Sequence, residues 1–188
     1  MSLVLASASP RRQDLLREAG IDFVVRPANI PETQLASEHP KAFAERMAKE
    51  KAAFIRDHGI KRNEAVLGAD TVVVVENDVL GKPTDADDAA RMLRLLSGRK
   101  HFVITGVCLA GSKFEDVRSE TTAVYFSELS ENEISSYVQS GEPMDKAGAY
   151  AIQGGASRWV SNIEGDYNNV VGLPVNLVKR MLHEHGIS

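Results

Sequence analysis

Val66-Leu67-Gly68-Ala69-Asp70-Thr71-Val72-Val73-Val74-Val75-Glu76-Asn77-Asp78-Val79-Leu80 is the stretch that decides the fold. An apolar, β-branched run broken only by Gly68 and Asp70 predicts a strand over residues 66–75. Glu76-Asn77-Asp78 predicts a turn that sends the chain back through Val79-Leu80, and Lys82-Pro83 ends the hairpin. Upstream the strands are separated by helices. Residues 3–6 form a short apolar strand, after which Ser9 suits a helix N-cap, Pro10 the first helical position and Gly20 the stop beyond Leu15, Leu16 and Ala19. Residues 21–26 read as a second strand, 27–40 as a long polar connection and 41–57 as a helix closed by Gly59.

Downstream, Asp85, Asp87 and Asp88 load acids into a first helical turn, residues 89–96 carry its apolar stripe, and Gly98 stops it. Strands over 101–110 and 117–126 are joined through Gly111-Ser112-Lys113. Ser130 and Glu133 form a capping box for a helix to Gln139, ending near Gly141. Aromatic and β-branched segments around Tyr150 and residues 159–163, a turn at Glu164-Gly165-Asp166 and a helix after Pro174 complete the chain. Strands joined by helices and strands joined by hairpins occur together, so the sheet is expected to be mixed and the class α/β, of the mixed α+β kind.

The 188 residues are 43% hydrophobic and 26% charged, a balance that argues for a globular core and against disorder, and the length suits one domain. Lysine plus arginine (22) against aspartate plus glutamate (26) leave a net charge of -4, so no overall positive field would attract a nucleic-acid backbone. Val72-Val73-Val74-Val75 is far short of the roughly 18 apolar residues of a membrane span. Arg11 and Arg12 follow the first apolar stretch instead of preceding it, unlike an export signal, so a cytoplasmic location is expected. The single cysteine, Cys108, lies in an apolar strand and is expected to be buried. No repeat, Walker loop, GxGxxG or HExxH spacing occurs, and the five histidines carry no metal pattern.

Some polar residues sit where local rules disfavour them. Arg11 and Arg12 lie at the start of the first helix, against the positive end of its dipole. They are either two solvated arginines or, with Ser7, Ser9 and the free helix N–H groups, a cradle for phosphate. On a helical wheel Lys51 falls about 80° from Phe43, on the apolar side, so its stem snorkels outward or its ammonium meets a buried anion. Asp70 inside a β-branched strand is costly to bury unpaired. It is a structural ion pair, a metal ligand or a general base. Glu32 and Lys82 alone read as surface residues, Gly154-Gly155 as a turn and Trp159 as packing. Cations, a helix N-terminus and a carboxylate suit a metal-assisted reaction on a polyphosphate.

The same residues carry a family resemblance. Leu5-Ala6-Ser7-Ala8-Ser9-Pro10-Arg11-Arg12, Gly68-Ala69-Asp70-Thr71, Gly81-Lys82-Pro83, Leu96-Ser97-Gly98, Glu142-Pro143-Met144-Asp145-Lys146-Ala147-Gly148-Ala149-Tyr150 and Val171-Gly172-Leu173-Pro174 resemble, in order, the Maf family of nucleotide pyrophosphatases. The resemblance implies a single two-lobed domain over the whole chain, related to inosine triphosphate pyrophosphatases, with a long mixed sheet, helices around it and a cleft between lobes. It implies hydrolysis of nucleoside triphosphates to monophosphate and pyrophosphate with a divalent metal, Mg²⁺ foremost, with Mn²⁺ or Co²⁺ as options. By motif Asp70 would be the proton acceptor that activates water, and Glu32 and Asp70 would hold the metal. Ser7, Ser9, Arg12, Lys51 and Lys82 would bind phosphates. Arg11, Thr71 and Gln153 resemble the subgroup acting on dTTP and UTP, in which a threonine and an amide can bond a pyrimidine edge. Pro31 stands where relatives place a second acid beside Glu32. A homodimer would be in keeping with the family. Two other readings are a pyrophosphatase for modified nucleotides such as 7-methyl-GTP or ITP, and a nucleotide-sensing regulator of septum formation whose hydrolysis is incidental.

Overall fold

The computed structural model describes residues 1–187. Its elements run β1 (Ser2–Leu5), α1 (Pro10–Glu18), β2 (Phe23–Val25), α2 (Pro40–Asp57), β3 (Glu64–Val75), β4 (Asp78–Leu80), α3 (Ala86–Leu96), β5 (Lys100–Ala110), β6 (Glu115–Phe126), α4 (Glu131–Gln139), β7 (Val160–Glu164), α5 (Tyr167–Val171) and α6 (Val175–Glu184). The sheet has seven strands in the order β2-β1-β3-β5-β6-β7, with β4 paired to β3. Strand β1 runs parallel to β2 and β3, whereas β4 is antiparallel to β3 and β7 to β6. The sheet is therefore mixed, as the alternation of helical crossovers and a hairpin requires.

The chain divides into two compact units, one of Met1–Thr71, Thr105–Glu120 and Gly172 onward, the other of Val72–Ile104 and Thr121–Val171. In the first, Val4, Ala6, Ala48, Ala52, Ile55, Val66, Cys108 and Ala110 form a buried cluster between α2 and the strands. Helix α2 lies close on the sheet because two strand positions lack a side chain: a Cβ on Gly68 would fall 2.1 Å from the Ala48 carbonyl oxygen, and one on Gly106 2.2 Å from that of Ala44. In the second unit His101, Phe126, Tyr137, Tyr150 and Trp159 pack edge to face, and His101 Nε2 lies 2.8 Å from the Tyr150 hydroxyl.

Several boundaries move from their sequence positions. Helix α2 opens at Pro40, because His39 serves as N-cap and proline is favoured at the first helical position. Helix α3, by contrast, opens at Ala86 within the acid-loaded turn read from the sequence, and the Asp85 side chain accepts from the Asp88 N–H. Strand β3 begins at Glu64, whose buried carboxylate is neutralised by Arg26 at 2.9 Å. Strand β2 shortens to Phe23–Val25 at the edge of the sheet. The turns Glu142–Asp145, Ala147–Ala149 and Gly155–Trp159 are 3₁₀, and α5 precedes the expected closing helix. No helix among the described residues is long and apolar enough to cross a membrane.

Candidate active site

The first unit gathers Ser7, Ser9, Arg11, Arg12, Glu32, Lys51, Asp70 and Thr71, from the β1–α1 turn, the connection before α2, α2 itself and the middle of β3. Lys51 takes the second of the two courses its helical phase allowed. Its side chain is buried, and Nζ lies 2.6 Å from both Asp70 Oδ1 and Glu32 Oε1. Two of its three N–H donors are thereby engaged, leaving one. Asp70 is 7% exposed, while the Glu32 side chain is 45% exposed. Burial pushes the Asp70 carboxyl above the usual aspartate range, against the opposing pull of Lys51 and Arg12.

At the start of α1, Ser9 is the N-cap, but its hydroxyl makes no capping bond. Ser7 Oγ accepts from the Ser9 N–H at 3.3 Å and from Arg12 Nη1 at 3.1 Å, so its own hydrogen remains available to a ligand. Arg12 is turned inward. Its Nε donates to the Gly172 carbonyl at 2.9 Å, Nη1 also to the Ala69 carbonyl at 2.9 Å, and Nη2 to Thr71 Oγ1 at 3.0 Å. Four of the five guanidinium N–H groups are thus directed at the protein, leaving one. Burial lowers the Arg12 pKa, partly offset by Asp70 and Glu32.

Thr71 Oγ1 also donates to the Gly172 carbonyl at 3.3 Å and lies 2.9 Å from Thr105 Oγ1. Its oxygen accepts from Arg12, and either hydroxyl of the Thr71–Thr105 pair can be the donor. Arg12, Thr105 and Gly172 are thus the protein partners of the Thr71 hydroxyl. Thr105 is fully buried, and its only signal in the sequence was a hydroxyl inside the apolar run 103–109.

Sequence reading also passed over Arg46 and Glu38. Arg46 Nε and Nη2 both reach Glu38 at 2.7 Å, and Nη2 reaches the Thr33 carbonyl at 2.9 Å, which pins the segment beside Glu32 to α2. These bonds hold the Glu38 carboxyl down at about 2. Lys82 and Gln153 belong to the second unit; both are exposed, and neither side chain bonds to another described residue.

Among the described residues, no group of three or more His, Cys, Asp or Glu side chains is gathered to hold a metal ion. Glu32 and Asp70 are the two carboxylates that share Lys51, and one or two carboxylates are enough for a hard divalent cation that completes its shell with water and phosphate oxygens.

Comparison with known proteins bears directly on the family to which the chain belongs. The family described as Maf-like protein matches residues 2–185. A dTTP/UTP pyrophosphatase of Koribacter versatilis is 54% identical over 187 residues, covering 100% of this chain and 96% of that protein. Proteins of the same name from Symbiobacterium thermophilum and Syntrophomonas wolfei are each 50% identical, covering 98% and 97% of this chain and 94% and 96% of their own lengths. With a family match that leaves out only a few terminal residues and relatives of nearly equal length sharing half its positions, the chain belongs to the Maf family.

Proposed function

We propose that this protein is a nucleoside triphosphate pyrophosphatase that hydrolyses dTTP and UTP to the nucleoside monophosphate and pyrophosphate. The observation that carries the reading is the contact of Lys51 Nζ with Asp70 and Glu32, both at 2.6 Å. It places a desolvated carboxylate of raised basicity next to a fixed cation. Asp70 takes a proton from water, whose oxygen then bonds to phosphorus near the α position, while the bond to the leaving pyrophosphate breaks. Glu32 and Asp70 would hold a divalent metal, Mg²⁺ in this reading, which would neutralise charge along the triphosphate.

Lys51 and Arg12 each keep one N–H and Ser7 keeps its hydroxyl hydrogen for phosphate oxygens, and the Ser9 hydroxyl, which makes no capping bond, joins them on the resemblance. Lys82 joins this set on the resemblance, with an ammonium that makes no bond within the described protein. Arg11, Thr71 and Gln153 select the base. The Gln153 amide offers a donor NH₂ beside an acceptor carbonyl, which suits the imide edge that thymine and uracil share. Thr71 contributes through Arg12 and the Gly172 carbonyl, the groups it holds.

The test is pyrophosphate release with Mg²⁺ from dTTP, UTP, CTP, GTP, ITP and 7-methyl-GTP. Turnover is expected on dTTP and UTP, and Asp70→Asn should lower it about 10²- to 10⁴-fold with an unchanged circular dichroism spectrum. An Asp70→Asn protein that kept most of its activity would make Asp70 structural, and preference for a purine would overturn the substrate assignment.

A further inference from the structure

The segment Glu142-Pro143-Met144-Asp145-Lys146-Ala147-Gly148-Ala149-Tyr150 carries part of the family resemblance, yet it has no task in the chemistry above. Its first residue is held with unusual completeness. The Glu142 N–H donates to Ser140 Oγ at 3.2 Å, and its carbonyl accepts from Lys146 Nζ at 2.7 Å. Its carboxylate then reaches two places in the same unit. Oε1 accepts from the Tyr137 hydroxyl at 2.9 Å and from the Gly155 N–H at 3.2 Å, with Oε2 3.3 Å from that same N–H.

The Tyr137 hydroxyl in turn accepts from the Ala151 N–H at 3.2 Å. The turn 151–155 is thus fastened at both ends, Ala151 on Tyr137 and Gly155 on Glu142, and is closed across its middle by the Gly154 N–H on the Ala151 carbonyl at 3.1 Å. Gln153 stands inside this bracket, exposed and with its amide uncommitted.

Gly154 shows how closely the carboxylate is fitted to the turn. Its backbone angles of −106° and −152° lie outside the left-handed region that favours glycine. A Cβ there would nevertheless fall 1.8 Å from Glu142 Oε1, so a side chain at this position would push the carboxylate off the turn. Tyr137 is buried, and burial raises the pKa of its phenol, so it remains a hydrogen donor throughout the working range of pH.

We propose that Glu142, acting with Tyr137, is a positioning residue for nucleobase selection that holds the turn 151–155 so that the Gln153 amide is presented to the pyrimidine in one orientation. The proposal rests on the assignment of Gln153 to base selection. A short turn free to sample several backbone states would have to be ordered on each binding event. Fastening both ends removes that cost before substrate arrives.

The experiment measures kcat and KM for dTTP, UTP and 7-methyl-GTP in the wild type, Gln153→Ala, Glu142→Ala, Glu142→Gln, Tyr137→Phe and the Glu142→Ala/Gln153→Ala double variant. Glu142→Ala and Tyr137→Phe should raise KM for dTTP and UTP about tenfold, with kcat little changed and kcat/KM for 7-methyl-GTP unaffected. Glu142→Gln should restore the wild-type KM, because the amide oxygen can accept from both Tyr137 and Gly155. The double variant should be no worse than Gln153→Ala alone. An equal fall for all three nucleotides, full additivity with Gln153→Ala, or an unaltered Glu142→Ala would overturn the role of Glu142 while Gln153→Ala still shifts selectivity. Selectivity untouched in Gln153→Ala would instead overturn the base-selection reading, and this proposal with it.

Discussion

The Thr71 hydroxyl accepts from Arg12, donates to the Gly172 carbonyl and pairs with the Thr105 hydroxyl. A residue type associated with substrate choice thus acts here on its protein neighbours: it sets one Nη of Arg12 and the carbonyl at the Val171-Gly172-Leu173 bend. Lys51 is paired with both Asp70 and Glu32, which keeps a buried ammonium from standing unpaired. Glu38 is the carboxylate whose environment most plainly makes a pH prediction. Its carboxyl lies at about 2 in the fold, well below the usual glutamate range, chiefly through the Arg46 hydrogen bonds. The stabilisation it adds is therefore complete above about pH 4.5 and is lost as pH falls toward about 2. Glu38→Gln should destabilise the protein by about 1 kcal/mol at neutral pH. Urea unfolding at a series of pH values should show the gap to wild type closing through that window. A gap independent of pH would mean that the Glu38 charge does not hold the segment.

At the scale of elements, the site depends on how near α2 comes to β3. Gly68 lies two residues before Asp70 on the strand, and the backbone atoms nearest its missing Cβ belong to Ala48 and Ala52, which bracket Lys51 on the helix. One methyl group at position 68 cannot be absorbed by a side-chain rotation, since it meets a carbonyl oxygen at 2.1 Å and an amide nitrogen at 2.9 Å. The helix has to retreat, taking Lys51 from Asp70. Gly68→Ala is expected to cost about 3 kcal/mol in chemical denaturation and to lower kcat in the fraction that folds. Wild-type stability together with wild-type kcat would show that the α2–β3 spacing is not critical. Helix α4 needs no such help, because the Ser130 and Glu133 capping box is complete and Glu133 also accepts from Trp159 Nε1 at 3.2 Å.

Across the whole molecule, Cys108 reports on the integrity of the core. It is fully buried in the cluster with Val4, Val66, Ala48 and Ala52, and burial pushes its thiol up to about 12. Since the thiolate is the reactive form, Ellman's reagent should leave Cys108 untouched in the folded protein and titrate one thiol in denaturant, with a native rate that follows opening of the core. Rapid labelling without denaturant would show that the β5 region opens locally.

Which parts of this architecture could be read from the chain follows from the range of the interactions involved. Strand alternation, the Ser9-Pro10 and Ser130 helix starts, the turn at Glu76-Asn77-Asp78 and the apolar side of α2 depend on neighbours a few residues apart, so residue order alone was enough for the mixed α/β class and for placing Lys51 on a buried face. The edges of that reading failed where a distant partner intervened: Glu64 joins β3 because Arg26 neutralises it across 38 residues, and β2 shortens where the sheet offers a neighbour on one side only. The same holds inside the site. Nothing local distinguishes a snorkelling Lys51 from one bound to Asp70, 19 residues away, or a ligand-facing Thr71 from one spent on Gly172, 101 residues away. Hydrogen-bonding capacity is a property of the residue, but its allocation requires partners that only the folded chain brings within 3 Å.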